Sequence, residues 1–404
     1  MRLKRLALTL LLIALMTGSC CAGCWNRREP ELLGIVLAVG FDYDQERGLY
    51  QVFAQLANPI ALGGAGGDGG GGGGAGGKKP FWTVDAKGRT PFEAIRNLIE
   101  VSSRELFWAH CRVVLFSENL ARRGLKDIFD LFERERQFRL IVKPVVIDGD
   151  LRQIMEADFP LEETGGRGMD RFIVTTRFER GIFPERNLNE LLVVLSQPGQ
   201  EMLAGRLEVL ESEKKSGEKG GEAGIAPPAR IGGSALFRGD RMVGWANARQ
   251  TQGWAFATGR AFRSNFVIES PATGSNVNIE VHSHKAKMSL SGDDKNWKIK
   301  MEVKLYGRVT EFDGHEILSD ESELTRSLER RAATTARNRI EDILSRAQEL
   351  KSDIFGFGNL IYRKNPRLWE KIGPRWDEEI FPRLKIDLKV NFVILRAGLI
   401  KDPL

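Results

Sequence analysis

The chain has 404 residues, of which 42 % are hydrophobic and 28 % charged, with a formal net charge of +6. That length supports two or three domains with substantial cores, and the composition is ordinary for a globular protein apart from 44 glycines. The first 23 residues carry three basic side chains and no acid, so a chain processed there has a net charge of +3. With no basic stripe interleaved with aromatics, this excludes nucleic acid as a partner.

Arg2, Lys4 and Arg5 precede an apolar run of 11 residues, Leu6 to Met16, interrupted only by Thr9. A helix needs about 20 apolar residues to span a bilayer, so this run is instead the apolar core of a secretory signal. Ala22-Gly23 before Cys24 is the small-residue exit that a lipoprotein signal peptidase requires, because the thiol must be reachable for diacylglycerol transfer. Cys20 and Cys21 compete for the same role, and none of the three has a complete aliphatic-small-small-Cys pattern. Residues 1–23 are thus expected to be a lipoprotein signal peptide, with Cys24 the N-palmitoyl and S-diacylglycerol cysteine that holds the chain to a lipid bilayer. The alternatives are an uncleaved anchor and an ordinary signal peptide. A redox or metal reading of Cys21 and Cys24 lacks a second ligand pair. Cys111 is then the one thiol of the folded body, expected as a small buried hydrophobe without a disulfide.

Residues 24–200 are expected to form an N-terminal α+β region. Gly34–Phe41 and Leu49–Leu56 read as a hairpin around an Asp/Gln/Glu/Arg/Gly turn. Residues 63–77 hold 12 glycines in 15 positions, followed by Lys78-Lys79-Pro80. No Gly-Lys-Ser/Thr follows, so this is a flexible loop and not a phosphate cradle. Thr90-Pro91-Phe92-Glu93 is a capped helix start, with Ala94, Ile95, Leu98 and Ile99 at helical spacing. A strand over Cys111–Phe116, a helix over Asn119–Arg134 and a strand over Leu140–Ile147 follow, the last placed at an edge or bulge by Pro144.

Residues 201–230 turn polar and end at Pro227-Pro228, marking an interdomain linker or a long exposed loop. Beyond them, residues 231–404 are expected to form a C-terminal α+β domain, an antiparallel sheet packed on one long helix. Its strands are Val277–Val281, Ile299–Val309 and Lys385–Leu395. The helix runs over Ser319–Leu350, with Leu324, Leu328, Ala332, Ala336, Ile340, Ile343, Ala347 and Leu350 on one stripe.

Several segments together resemble one family, the Ger(x)C spore germination lipoproteins. Gly23-Cys24-Trp25-Asn26-Arg27-Arg28-Glu29 is similar to the family's mature start. Ser103-Arg104-Glu105-Leu106-Phe107-Trp108-Ala109-His110 resembles the segment leading to a family histidine, and Gly233 to Gly244 resembles the opening of the C-terminal domain. Most specific are Asp353-Ile354-Phe355-Gly356-Phe357-Gly358, Pro366-Arg367-Leu368-Trp369 and Trp376-Asp377. The resemblance covers nearly the whole mature chain. It departs at Asn26, where the family has Asp, at Gln250-Thr251-Gln252-Gly253, where it tends to Glu-Thr-Arg-Gly, and at the glycine run. It implies a non-enzymatic C subunit of a nutrient germinant receptor, lipid-anchored on the outer face of the spore inner membrane beside integral membrane subunits.

The residues themselves offer little for catalysis. His110, His282, His284 and His315 are the four histidines, and no Ser-His-Asp or paired-carboxylate pattern accompanies them. His110 reads as a satisfied structural histidine. His282 and His284 fall on one side of a strand but lack further metal ligands, and Asp42 and Asp44 belong to the hairpin turn rather than to a calcium loop. No cofactor is expected. In Phe355-Gly356-Phe357-Gly358 the glycines permit a tight turn after the long helix while the aromatics fill the core, or the four form a partner-binding loop. The rival function is a solute-binding lipoprotein of a transporter, which predicts two α/β lobes around a hinged cleft.

Overall fold

Alternation of apolar residues over β1 (Leu33–Asp44) and β2 (Leu49–Ala57) produces the expected antiparallel hairpin, from Val36↔Leu56 to Asp44↔Leu49. Gly48 closes its turn at φ 67° and donates to the Asp44 carbonyl at 2.9 Å. Asp44 also accepts from the Arg47 backbone and pairs with Lys87, while Asp42 accepts from the Ser117 hydroxyl. This computed structural model describes residues 2, 5–10, 32–59, 61, 79–159, 161–162, 164–184, 186–210, 229–271, 274–292, 296–312 and 323–396. Cys24, the glycine run 63–77 and His315 lie outside the described residues.

The hairpin extends into a mixed nine-stranded sheet. Its order is β3 (Phe81–Gly88), β2, β1, β5 (Val113–Ser117), β6 (Lys143–Asp148), β7 (Leu203–Val209), β8 (Ala229–Arg238) and β9 (Arg241–Ala246), with β4 (Glu105–Phe107) also on β1. β1, β5, β6 and β7 run parallel, flanked by antiparallel hairpins. Parallel strands are covered on both faces, which is why Val113 to Ser117 is buried without alternation. One face packs on α1 (Pro91–Val101), α2 (Glu118–Arg123), α3 (Lys126–Arg134) and α6 (Leu188–Leu195). The other packs on α4 (Leu151–Met155) and α5 (Gly165–Arg180).

Three expectations change here. β6 is interior rather than at an edge: Pro144 stands opposite Val114, and the ladder to β7 begins only one residue later, at Val145↔Gly205. The helix expected over Asn119–Arg134 is split at Gly124, whose φ is 132°. There Asp240 from the β8–β9 turn takes the Leu125 and Lys126 amides, a contact between distant segments that local periodicity does not register. The segment 201–230, expected as an interdomain linker or a long exposed loop, does not separate two sheets. It begins in β7, which pairs antiparallel with β8 from Leu203↔Leu236 to Val209↔Ala229, while residues 211–228 lie outside the described residues. β8 and β9 therefore belong to the first sheet, although β8 crosses the expected boundary at 231 and β9 lies beyond it.

The second sheet has the order β10 (Asn265–Glu269), β11 (Asn276–Ser291), β12 (Lys298–Phe312) and β13 (Ile386–Arg396). The first three strands are antiparallel, whereas β13 joins β12 in parallel, from Ile299↔Ile386 onward. A parallel return needs a long crossover, and the chain supplies it with helices α8 (Glu323–Glu349), α9 (Phe357–Lys364) and α10 (Pro366–Ile372). The stripe expected on the long helix is its core face: Leu328, Ala332, Ala336, Ile340, Ile343 and Ala347 are buried. Helix α7 (Ala248–Thr258) crosses α8 so closely that a Cβ at Gly253 collides with the Arg339 carbonyl.

Local capping follows the sequence. Thr90 accepts from the Glu93 amide at 3.1 Å, and the Glu93 carboxylate reaches back to the Arg89 amide at 2.6 Å. In the departing segment, Asn247 and Gln250 form a reciprocal capping box on α7. Thr251 meets Ser234 at 2.8 Å, and Gln252 donates to the Arg180 carbonyl at 3.0 Å. A neutral glutamine therefore performs the capping that an acid at position 250 offers.

Candidate functional site at the seam between the sheets

The motif Asp353 to Gly358 lies where the helix crossover of the second sheet meets the first. After α8, Lys351 takes φ 54° and Ser352 donates to the Phe237 carbonyl of β8, directing the chain inward. Asp353 is fully buried, at 0 % exposure. Its Oδ1 accepts from the amides of Gly356 at 2.9 Å and Phe357 at 3.2 Å. Its Oδ2 accepts from the Gly358 amide at 2.8 Å and from Trp376 Nε1 at 3.2 Å. One carboxylate thus occupies the first amides of α9 and ties the turn to the π-helical segment Trp376–Ile380.

The opposite wall of the seam is the turn Pro198 to Glu201, which precedes β7. Its amides and carbonyls pair with the motif: Glu201 N donates to the Asp353 carbonyl, and Asn359 N to the Gly199 carbonyl, both at 2.9 Å. Gly356, at φ 76°, has the left-handed conformation that favours glycine. Gly199 has φ 66°, and a Cβ there lies 2.5 Å from the Trp369 ring and 2.6 Å from the Gly358 carbonyl carbon. Gly199→Ala is therefore expected to destabilise the chain by about 2–3 kcal/mol through strain and collision combined, read as a lower urea midpoint. An unchanged midpoint removes the requirement for close approach here.

All four residues Phe355, Gly356, Phe357 and Gly358 are buried. The two rings stack at 5.2 Å with 15° between planes, and Phe357 continues to Phe381 at 6.4 Å. This corrects the partner-binding reading of the four: the loop faces the chain's own interior. Trp376 joins the same cluster, 5.7 Å from Trp369 and 6.4 Å from Trp297.

Electrostatically the seam is an acidic interior. Burial pushes the Asp353 carboxyl up to about 7, against the four donors that pull it down. Burial pushes Glu201 up to about 8, with the Asp377 and Asp353 charges adding to the rise and the Gly239 amide opposing it. Asp377 is raised by burial as well. Arg238 and Lys351 lie at the rim and pair with Glu378.

The other singled-out residues lie apart from the seam. Cys111 is buried, its thiol pushed up to about 12 by burial, and donates weakly to the Val113 carbonyl at 3.3 Å. His110, read as a structural histidine, is exposed, with its ring 5.6 Å from Phe107. A register shift lies between Val281 and Ser283, His282 and His284 are both half-buried, and His284 bonds the Gly259 carbonyl. Among the described residues no three His, Cys, Asp or Glu side chains cluster as metal ligands do.

Sequence reasoning found the motif but missed Asp353 as its organiser and Gly199 and Glu201 as its partners. The Asp353-x-x-Gly356 spacing, a carboxylate three residues before the amide it accepts from, is the signal that was present. Nothing local marks Gly199 or Glu201.

Fold and seam together define a two-sheet protein whose turn and crossover segments are locked to each other by buried polar contacts. The description "Spore germination protein N-terminal domain" matches residues 26–209, and "Spore germination B3/ GerAC like, C-terminal" matches residues 232–398. The chain belongs to this GerAC family of spore germination proteins. It is 25 % identical to Spore germination protein KC of Bacillus subtilis (strain 168) over 393 residues, 95 % of this chain and 94 % of the relative. It is also 25 % identical to the putative spore germination protein YfkR of the same organism over 394 residues, 97 % of this chain and 96 % of the relative. The solved structure described as "Crystal Structure of the GerBC protein" matches with a TM-score of 0.55 at 17 % identity, covering 89 % of this chain and 98 % of that one. That likeness shows a shared fold.

Proposed function

We propose that this chain is the lipid-anchored subunit of a spore germinant receptor and acts by protein–protein contact with the integral membrane subunits of that receptor. The observation that carries this reading is the succession of the two germination-family matches over residues 26–209 and 232–398, starting two positions after Cys24. No described helix is long and apolar enough to cross a membrane, and the attachment in this reading is the Cys24 lipid. Its acyl chains contribute about 0.8 kcal/mol per buried methylene, and two or more chains hold where one is marginal. The body is placed on the outer face of the spore inner membrane, where it helps pass nutrient sensing to the partner subunits by scaffolding rather than by chemistry. The packed seam at Asp353 and Gly199 supports this over a solute-binding protein, whose lobes need a hinge free to open.

Cys24→Ala is expected to move the protein from the membrane to the soluble fraction of spores and to reduce nutrient-triggered germination to the level of the gene deletion. Normal germination in either strain overturns the proposal. Retention in the membrane with Cys24→Ala overturns the anchor alone.

A further inference from the structure

Away from the seam, Arg186 is, among the described residues, a buried charged side chain with two nitrogens that lack a hydrogen-bond partner. It lies between α5 and α6 at 7 % exposure, and the two nitrogens are Nε and Nη1. It lines a cavity of about 180 Å³ shared with Lys143, Arg177, Phe183, Asn187 and Glu190. Arg260 and Glu190 are both close enough to act on Arg177 and Arg186 electrostatically, with opposite signs. Lys143 is neutralised by Asp170, which also takes Arg112 at 3.3 Å. Glu190, the carboxylate lining the cavity, is paired with Arg260 at 3.2 Å. The indole of Trp254 lies 5.4 Å from the Arg186 guanidinium and supplies a π face but no hydrogen-bond acceptor.

An unpaired buried guanidinium is costly unless an anion completes it. Unsatisfied donors at both Nε and Nη1 of a planar guanidinium suit an oxyanion, and Arg177 adds a second cation to the same cavity. Burial, with the neighbouring Arg260, lowers Arg186 to about 10, which still leaves it charged at neutral pH. The volume is below the roughly 300 Å³ at which pockets for drug-sized ligands begin, so the occupant is small.

We propose that the cavity formed by Lys143, Arg177, Arg186 and Asn187 binds a small oxyanion, a carboxylate or phosphate group carried by a ligand of few heavy atoms. The site is independent of the receptor reading, because it rests on the unmatched Arg186 alone.

The test is thermal unfolding of the full chain in detergent with sodium phosphate or sodium acetate titrated against sodium chloride at constant ionic strength. A saturable rise in Tm with at least one of the two anions is expected. Phosphate acting alone assigns a phosphate group, acetate alone a carboxylate, and both together a general oxyanion site. Arg186→Met is expected to lose the rise while its Tm in chloride stays equal or increases, since the variant no longer buries an unmatched charge. Arg186→Lys keeps the charge but not the fork, and is expected to shift half-saturation about tenfold higher. It decides the matter if the methionine variant does not fold. No rise with either anion, or equal titrations in native chain and variants, overturns the proposal.

Discussion

Asp353→Ala is expected to lower the unfolding free energy of the chain by about 3–5 kcal/mol, the largest effect of any single side chain at the seam. The carboxylate accepts four hydrogen bonds, from the amides of Gly356, Phe357 and Gly358 and from Trp376 Nε1, at 2.8 to 3.2 Å. Truncation leaves four buried donors together, each of which costs about 1–3 kcal/mol when unpaired. Relaxation and water in the vacated space reduce the simple sum, hence the lower figure. Asp353→Asn keeps one acceptor but turns an amide NH₂ toward N–H donors, so it is expected to recover only part of the loss. Urea unfolding followed by tryptophan fluorescence reads both, because Trp297, Trp369 and Trp376 surround the site. A midpoint for Asp353→Ala equal to that of the native chain refutes the carboxylate as organiser of the turn.

The second large effect is on pH dependence. Glu201 stands at about 8 and Asp353 at about 7, above ordinary values of 4.5 and 3.8. The Glu201 carboxyl therefore holds a proton in the folded chain that the unfolded chain has already released between about pH 4 and pH 8, while the four donors around Asp353 oppose its protonation. Where the native state binds more protons, stability falls as pH rises. The folded chain is thus most favoured below the unfolded values and loses this contribution as pH climbs through 7 and 8. Each pKa unit corresponds to about 1.36 kcal/mol, so raising pH from 5.5 to 8.5 is expected to remove a few kcal/mol. Glu201→Gln retains an acceptor for the Gly239 amide but cannot ionise. It is expected to flatten most of the slope and to be the more stable chain at pH 8.5. Urea midpoints at pH 5.5, 7.0 and 8.5 that change in parallel for native and Glu201→Gln chains dismiss Glu201 as the source.

The elements that periodicity alone specifies are those with one buried face and a long run. The stripe from Leu328 to Ala347 on α8, the β1–β2 hairpin and the strands β11, β12 and β13 were all legible for that reason. So was the α1 start, because Thr90, Pro91 and Glu93 act within a single turn. The candidate site was half legible. The sequence shows glycines and aromatics after a long helix, but whether Phe355 and Phe357 point to a partner or to the interior depends on what lies opposite. What lies opposite is Gly199, more than 150 positions earlier in the chain.

Charge was the least legible property. Nothing in the sequence singles out Glu201 or Arg186, and Asp353 stands out only as part of its motif, while such side chains are rarely buried. Asp353 and Arg186 are buried and Glu201 is half-buried, each among segments distant in sequence, and each acquires its chemistry from that enclosure. The same holds for the split at Gly124, imposed by Asp240, and for the membership of β8 and β9 in the first sheet, which neither glycines nor the polar run at 211–228 announce.

By itself the sequence determined the α+β class and the family, because each depends on residue types at short, fixed spacing, and on the same kind of local pattern it raised the expectation of a signal segment ending at Cys24. Only the tertiary structure decided which strands share a sheet, that β13 returns in parallel, that Asp353 gathers four donors and that Arg186 is left unmatched. Those features are pairings between remote segments, and a pairing has no local signature until both partners are in place.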